Sequence, residues 1–181
     1  MNRFREKYQK EVVPALVKEF NLRNPHQVPR ISKVVVSAGV GRAVSDSKHL
    51  ETTADTIAKV TGQHPVTTVA RKSIASFKLR EGNKVGVTTT LRGARAEAFL
   101  DLLVGAVLPR IRDFRGISAT AFDAFGNYSL GITDHSIFPQ IPFEDVGVSH
   151  GLQVNIVTTA KTPEQSKRLL ELMGFPFRRT V

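Results

Sequence analysis

The chain has neither cysteine nor tryptophan among its 181 residues. Without thiols it can form no disulfide and no thiolate-held metal site, and its compartment stays open on that count. Long apolar runs are missing too. The longest, Leu102–Leu108, covers seven residues, against the roughly 20 that span a bilayer. The N-terminus, MNRFREKYQKEVV, holds no apolar signal core, and Glu6 and Glu11 argue against a transit peptide. These absences lead to the expectation of a cytoplasmic protein with no membrane partner. The histidines at 26, 49, 64, 135 and 150 are scattered, with no H-E-x-x-H spacing, so no metal is expected. No lysine follows glycines at P-loop spacing. Asp134-His135-Ser136 has the residue types of a hydrolytic triad, but sequence neighbours rarely point at one another. Nothing here calls for a cofactor or supports an enzyme.

One more absence is regional. Residues 116–160 contain no lysine or arginine, yet they hold Asp123, Asp134, Glu144 and Asp145. The whole chain nevertheless carries +10, with 26 basic against 16 acidic residues. The excess sits elsewhere: eight basic against three acidic over 1–33, and ten against four over 70–115. A regional excess of this kind fits a face for a polyanion. Segment 116–160 cannot grip phosphates with cations and must serve another purpose. At 41% hydrophobic and 23% charged, the chain is globular in composition, and its length suits a single domain over 1–181.

Phe4, Tyr8, Val12, Leu16 and Phe20 recur every four residues as a helical stripe, with a kink or restart expected at Pro14. Strands are expected over 30–38, 66–70, 85–92 and 151–159. Helices are expected over 46–61 and 94–107, with Leu108–Gly116 a basic connection and 117–142 loops with short strands. A last helix opens on Thr162-Pro163-Glu164-Gln165, an N-cap, a first-turn proline and a capping-box glutamine, and ends at Gly174. The strands alternate. Val34, Val36 and Ala38 oppose Lys33, Val35 and Ser37. Val85, Val87, Thr89 and Leu91 oppose Gly86, Thr88, Thr90 and Arg92. Leu152, Val154 and Ile156 oppose Gln153, Asn155, Val157 and Thr159. Strands covered on both faces would read as continuous apolar runs. The alternation predicts an α+β fold: a mostly antiparallel sheet with helices packed on one face, an open polar face, and an extended basic loop.

That loop is ARKSIASFKLREGNK, residues 70–84, with Arg71, Lys72, Lys78, Arg80 and Lys84 against Glu81. It reads either as an arm for a polyanion or as a solvated hairpin anchored to the body by Ile74 and Phe77. The clear strands hold no mid-strand aromatic, which disfavours base stacking on the sheet and leaves polar side chains suited to phosphates and 2′-hydroxyls. A competing reading makes Gly39-Val40-Gly41 a nucleotide-binding turn in a basic enzyme. The third glycine of that fingerprint would fall at Val44; otherwise the pair marks a tight turn with φ > 0. A basic module on an anionic membrane is a third class.

Several blocks, in order along nearly the whole chain, resemble the universal large-subunit ribosomal protein family usually called L-five, the 5S rRNA binder. They are Ala70-Arg-Lys-Ser-Ile74 with Phe77-Lys78, Thr90-Leu-Arg-Gly93, Leu108-Pro-Arg-Ile-Arg-Asp-Phe-Arg-Gly116, Gly126-Asn-Tyr-Ser-Leu-Gly131, Ile137-Phe-Pro139, Val157-Thr-Thr-Ala160 and Gly174-Phe-Pro-Phe-Arg178. The resemblance implies a non-enzymatic scaffold whose open sheet face docks on 5S rRNA, with Lys33, Ser37, Gln63, Thr90 and Arg92 in contact; the alternation adds Thr88. The family often has asparagine at the position of Ser37. The resemblance makes 70–84 a loop toward the P-site tRNA elbow, presenting Arg71, Lys72, Ser73, Phe77, Lys78 and Arg80. It places Arg110, Arg112, Asp113, Phe125, Asn127 and Tyr128 in a region facing a protein of the small-subunit head. Implied neighbours are 23S rRNA and other 5S rRNA-binding ribosomal proteins. Where relatives commonly read F-D-G-R-G-N-Y, this chain reads Phe122-Asp-Ala-Phe-Gly-Asn-Tyr128, losing a glycine and an arginine. It also has Thr133-Asp134-His135 where relatives often carry a basic-acidic-Gln run.

Overall fold

A computed structural model describes residues 3–41, 47–142 and 149–178. Helix α1 is built from Arg3–Lys7, a wide π turn at Tyr8–Val12 and Val13–Glu19, one after another. Strand β1 is Ile31–Gly39, helix α2 Ser47–Thr61, strand β2 Val66–Val69 and strand β3 Lys84–Leu91. Helix α3 is Gly93–Leu102, extended by a π turn at Leu103–Val107 and a 3₁₀ turn at Leu108–Arg110. Strands β4 (Tyr128–Ile132) and β5 (Leu152–Thr158) and helix α4 (Pro163–Met173) complete the order.

Both π turns have a cause in the sequence. A proline has no amide hydrogen, and its ring clashes with the carbonyl four residues earlier. The Val13 amide, just before Pro14, bonds back five residues to the Tyr8 carbonyl. The Leu108 amide, just before Pro109, bonds to the Leu103 carbonyl in the same way. Each helix widens by one residue and continues. The disturbance expected at Pro14 is therefore a π turn within a continuing helix. Pro109 likewise does not stop α3 at Val107: helical backbone runs on to Arg110, so the basic connection begins later than the sequence indicated.

The strands lie in the order β2-β3-β1-β5-β4 in one antiparallel sheet, and β2 pairs with β3 through Val66↔Thr88 and Thr68↔Gly86. Burial alternates as expected except at the start of β3, where Val85 is half-buried and Gly86, expected on the open side, is buried close to Ala38 and Thr68. Val34, Val36 and Ala38 of β1, Val87, Thr89 and Leu91 of β3, and Leu152, Val154 and Ile156 of β5 are buried. With four helices the fold is α+β. Gly86 must lack a side chain, because a Cβ there would stand 2.9 Å from both the Ala38 carbonyl and the Thr68 hydroxyl.

The chain divides into two compact units. The first takes in residues up to Val34, Arg92–Leu130 and those from Asn155 onward. There α1 packs on α3, and α4 packs on the π turn of α1. Phe4, Leu16, Phe99, Leu100, Leu169 and Met173 are among its buried side chains. Arg168 Nε donates to Glu19 Oε2 at 2.7 Å. The second unit holds Val35–Leu91 and Gly131–Val154. Here α2 lies on β3 with Leu50, Ile57 and Val60 buried. Its buried threonines Thr53, Thr56 and Thr61 stay satisfied by donating to the carbonyls of His49, Thr52 and Ile57, one turn back. Among the described residues, no helix is long and apolar enough to cross a membrane.

Candidate nucleic-acid interface

Along β1, Val35 and Ser37 are half-buried between the buried Val34, Val36 and Ala38, and Lys33, half-buried between exposed Ser32 and buried Val34, shares their side of the pleat. On β3, Thr88 and Thr90 do the same between Val87, Thr89 and Leu91. Arg92 continues that row: its backbone is extended, with φ −137° and ψ 158°, as it caps the start of α3, and its side chain is exposed. The Thr88 hydroxyl donates to the Val36 carbonyl at 3.4 Å.

Gln63 follows a helix and belongs to no strand, so alternation is silent about it. The structure brings it to β3. Gly62 turns the chain with φ +66°, the Thr61 hydroxyl accepts from the Gln63 amide at 3.3 Å, and Gln63 Nε2 donates to the Thr90 carbonyl at 3.2 Å. Gln63, Thr88, Thr90 and Ser37 all lie in the second unit, whereas Lys33 and Arg92 fall in the first. Among the described residues, no carboxylate pairs with Lys33 or Arg92.

The basic loop is an arm paired at its neck and again at its tip. At its neck the Ala70 amide donates to the Asn83 carbonyl (2.8 Å) and the Gly82 amide to the Ala70 carbonyl (3.0 Å). The Ser73 hydroxyl then accepts from the Glu81 amide at 2.9 Å. At the tip Ile74 and Leu79 exchange backbone hydrogen bonds around a 3₁₀ turn, Ala75–Phe77. Arg71, Lys72, Ser73, Phe77, Lys78 and Arg80 are all exposed. Ile74 and Phe77 are 42% and 73% exposed, which removes the reading in which they anchor the loop to the body. Only Leu79, itself half-buried, turns inward at the tip.

Segment 108–135 is divided in role. Arg110, Arg112 and Asp113 are exposed, with Asp113 in the left-handed region at φ 51°. Phe125 is 76% exposed. Asn127 is committed inward: its Nδ2 donates to Asp123 Oδ2 at 2.7 Å, its amide to Asp123 Oδ1 at 2.7 Å, and its Oδ1 accepts from the Thr158 amide at 3.2 Å. The bond from the Asn127 side chain, with those from the Asn127 and Phe125 amides, holds the Asp123 carboxyl below its ordinary range. Tyr128 is fully buried, packed on Phe122 and Phe177 with centroids at 4.7 and 5.6 Å. Its hydroxyl donates to the Ser118 carbonyl at 2.8 Å, and burial pushes the phenol up to about 12. Of the six residues expected to face a protein partner, Tyr128 is core and Asn127 is a loop brace.

The other motifs resolve structurally. Asp134 Oδ1 accepts from the Ser136 amide (2.9 Å) and the Ser149 hydroxyl (3.1 Å). Buried His135 stacks on His150 at 4.0 Å and accepts the His150 amide at Nδ1. This is a clasp between two loop segments and has no triad geometry. Gly39 ends β1 and Gly41 follows it, but neither takes a positive φ, so the expected φ > 0 turn is absent. Instead the Val40 amide donates to the Val85 carbonyl at 2.8 Å, extending strand pairing where a phosphate loop would need free amides. Val44, the position of the fingerprint's third glycine, and the start expected for α2 at Asp46 lie outside the described residues. Among the described residues no group of three or more His, Asp or Glu could hold a metal.

Two family models cover most of the chain: Ribosomal protein L5 over residues 24–80, and the C-terminus of the same ribosomal L5 family over 84–177. The large ribosomal subunit protein uL5 of a Thermoanaerobacter species is 50% identical over 177 residues, covering 98% of this chain and 99% of the relative. The chain belongs to the ribosomal protein L5 family. As a member it is a structural protein of the large ribosomal subunit in the cytoplasm, and it is not an enzyme. The nucleotide-enzyme reading of Gly39–Gly41 ends there. The L5-family match also runs through the blocks quoted above, from Ala70 to Phe177.

Proposed function

We propose that this chain grips 5S rRNA through the polar faces of β1 and β3 and through Gln63. Lys33 and Arg92 bind phosphates. Ser37, Gln63, Thr88 and Thr90 fix register on a folded RNA through 2′-hydroxyls and phosphate oxygens. The observation that supports this reading is Gln63: a loop residue with no strand pattern of its own bonds to the Thr90 carbonyl, beside a second residue that the resemblance assigns to the same contact. Ser37 is shorter than the asparagine common in the family, so its contact runs through a bridging water. 23S rRNA and the other 5S rRNA-binding proteins are the neighbours of this face.

The arm at 70–84 reaches P-site tRNA, supported by its exposed cations and by the paired neck that carries them away from the strands. The 110–134 region meets a protein of the small-subunit head through Arg110, Arg112, Asp113 and Phe125; Asn127 and Tyr128 support it from within. A loop bearing Phe125 beside Asp123, in a stretch without cations, suits a basic protein surface. A filter-binding titration against 5S rRNA and a size-matched control RNA tests the sheet assignment. Thr90→Ala with Arg92→Ala is expected to cut 5S rRNA affinity at least tenfold, since a lost charged and a lost neutral hydrogen bond together exceed about 1.4 kcal/mol, and to leave the melting temperature nearly unchanged. Wild-type affinity in that variant would remove the sheet face from the interface.

A further inference from the structure

Among the described residues two phenylalanine rings stand far out in solvent, Phe77 and Phe125, at 73% and 76% exposure. Their surroundings have opposite charge. Phe125 follows Asp123 in the stretch without lysine or arginine. Phe77 sits in an arm with exposed Arg71, Lys72, Lys78 and Arg80 against one acid, Glu81. Among the described residues none of those four cations is held by a carboxylate.

Backbone hydrogen bonds shape the turn beneath Phe77. The Phe77 amide donates to the Ile74 carbonyl at 3.3 Å and the Lys78 amide to the Ala75 carbonyl at 3.0 Å. Lys78 takes the left-handed conformation, φ 52° and ψ 31°, which turns the chain sharply just after the ring. Leu79 and Ile74 close the turn with paired bonds of 2.9 and 3.1 Å. An exposed aromatic ring on a tied turn, in an arm with four exposed cations, matches a ligand that offers both a flat π-face and negative charge. A nucleotide offers both, and stacking needs no sequence code, because every base has a π-face. An apolar peptide would not need the cations, and an acidic peptide would not need the ring.

We propose that Phe77 is a stacking platform for an unpaired nucleobase of the tRNA that meets the arm, with Lys72 and Lys78 holding the flanking phosphates. This rests on the reading that the arm faces P-site tRNA and adds how it holds it. The sheet and the arm then use different modes: polar register on β1 and β3, which hold no aromatic, and stacking at the tip.

Because the chain lacks tryptophan, Phe77→Trp made with 5-hydroxytryptophan introduces one selectively excitable reporter. Large subunits are assembled with wild-type chain, Phe77→Trp, Phe77→Leu, or Lys72→Ala plus Lys78→Ala, and their P-site affinity for deacylated tRNA is measured. Phe77→Leu is expected to weaken binding roughly fivefold to a hundredfold, the range for losing one aromatic–base stack. Phe77→Trp is expected to retain affinity, with its emission quenched when tRNA binds. If the lysine pair weakens binding while Phe77→Leu does not and the reporter stays bright, the arm reads charge alone and stacking is overturned. If neither variant weakens binding, the tRNA reading of the arm fails and stacking fails with it. A reporter already quenched in subunits before tRNA is added would place the ring against the subunit itself and overturn the proposal.

Discussion

Tyr128 shows how a side chain can carry a family motif and still be unavailable to a partner. It belongs to Gly126-Asn127-Tyr128, yet its ring is fully buried and its hydroxyl is spent on Ser118. Burial raises the phenol to about 12, whereas an unfolded tyrosine ionises near 10. Below about 10 both states keep the proton, and the stabilisation is fully present. As pH rises toward 12 the unfolded chain loses its proton first, so stability falls across that window. The chain has only two tyrosines and no tryptophan, so tyrosinate absorbance reads both groups cleanly. Tyr8, whose hydroxyl donates to the Pro29 carbonyl at 3.1 Å, is also raised by burial and contributes in the same direction. Tyr128→Phe is expected to cost about 1 kcal/mol at neutral pH, the net worth of one hydrogen bond, and to flatten the alkaline decline while leaving the Tyr8 part. Two tyrosines ionising near 10 in the folded protein would contradict the buried assignment. The inward position was legible: Tyr128, Leu130 and Ile132 alternate with Ser129 and Gly131, a strand pattern hidden within a stretch rich in loop residues. Gln63 had no such signal, because its place depends on a bond across 27 residues of chain.

Helix α4 is the element whose ends the sequence specified most fully. The Thr162 hydroxyl accepts from the Gln165 amide at 3.4 Å, and Gln165 Oε1 accepts from the Lys161 amide at 3.2 Å, one residue ahead of the expected reciprocal bond. At the other end Gly174 is left-handed at φ 100°, with its amide on Glu171 and that of Phe175 on Leu170. Thr162→Ala is expected to cost about 1 kcal/mol through the lost cap. Gly174→Ala should cost about 1–2 kcal/mol through left-handed strain, rising if Lys7 Nζ, 3.1 Å from the new Cβ, cannot move away. Urea midpoints at constant m-value distinguish the two; a Gly174→Ala protein as stable as wild type would mean that the terminus relaxes out of this conformation. Strands and amphipathic helices were legible because burial imposes a period. Helix continuation past Pro109 was not, since a proline signals a stop just as strongly as a π turn, and only packing around Leu103, Val107 and Leu108, all buried, favours continuing. The arm was legible in charge and as a hairpin-like loop, but not in its detail: the paired neck and the Ile74–Leu79 closure around a 3₁₀ turn depend on bonds that no local pattern announces.

At the scale of the whole molecule the decisive feature is that charge is distributed by segment. Excess cations lie in 1–33, 70–115 and 161–181, and no lysine or arginine lies in 116–160. The Debye length is about 8 Å at physiological ionic strength, so each cation acts on what it nearly touches, and distant cations cannot substitute for one another. Each phosphate neutralised on an RNA contributes roughly 0.7–0.9 to the slope of log affinity against log salt concentration. If Lys33 and Arg92 meet 5S rRNA phosphates, Lys33→Ala and Arg92→Ala should each reduce that slope by about this amount. Lys72→Ala with Lys78→Ala should leave the slope and the 5S rRNA affinity nearly unchanged, because the arm serves a different partner. Phe125→Ala, in the cation-free segment, should change neither, while weakening association of the two ribosomal subunits. Titrations at several salt concentrations with the full-length chain measure the slopes. An arm variant that lowers the 5S rRNA slope as much as Arg92→Ala would show that the basic segments act as one diffuse polyanion surface, and the division of labour between sheet and arm would have to be abandoned.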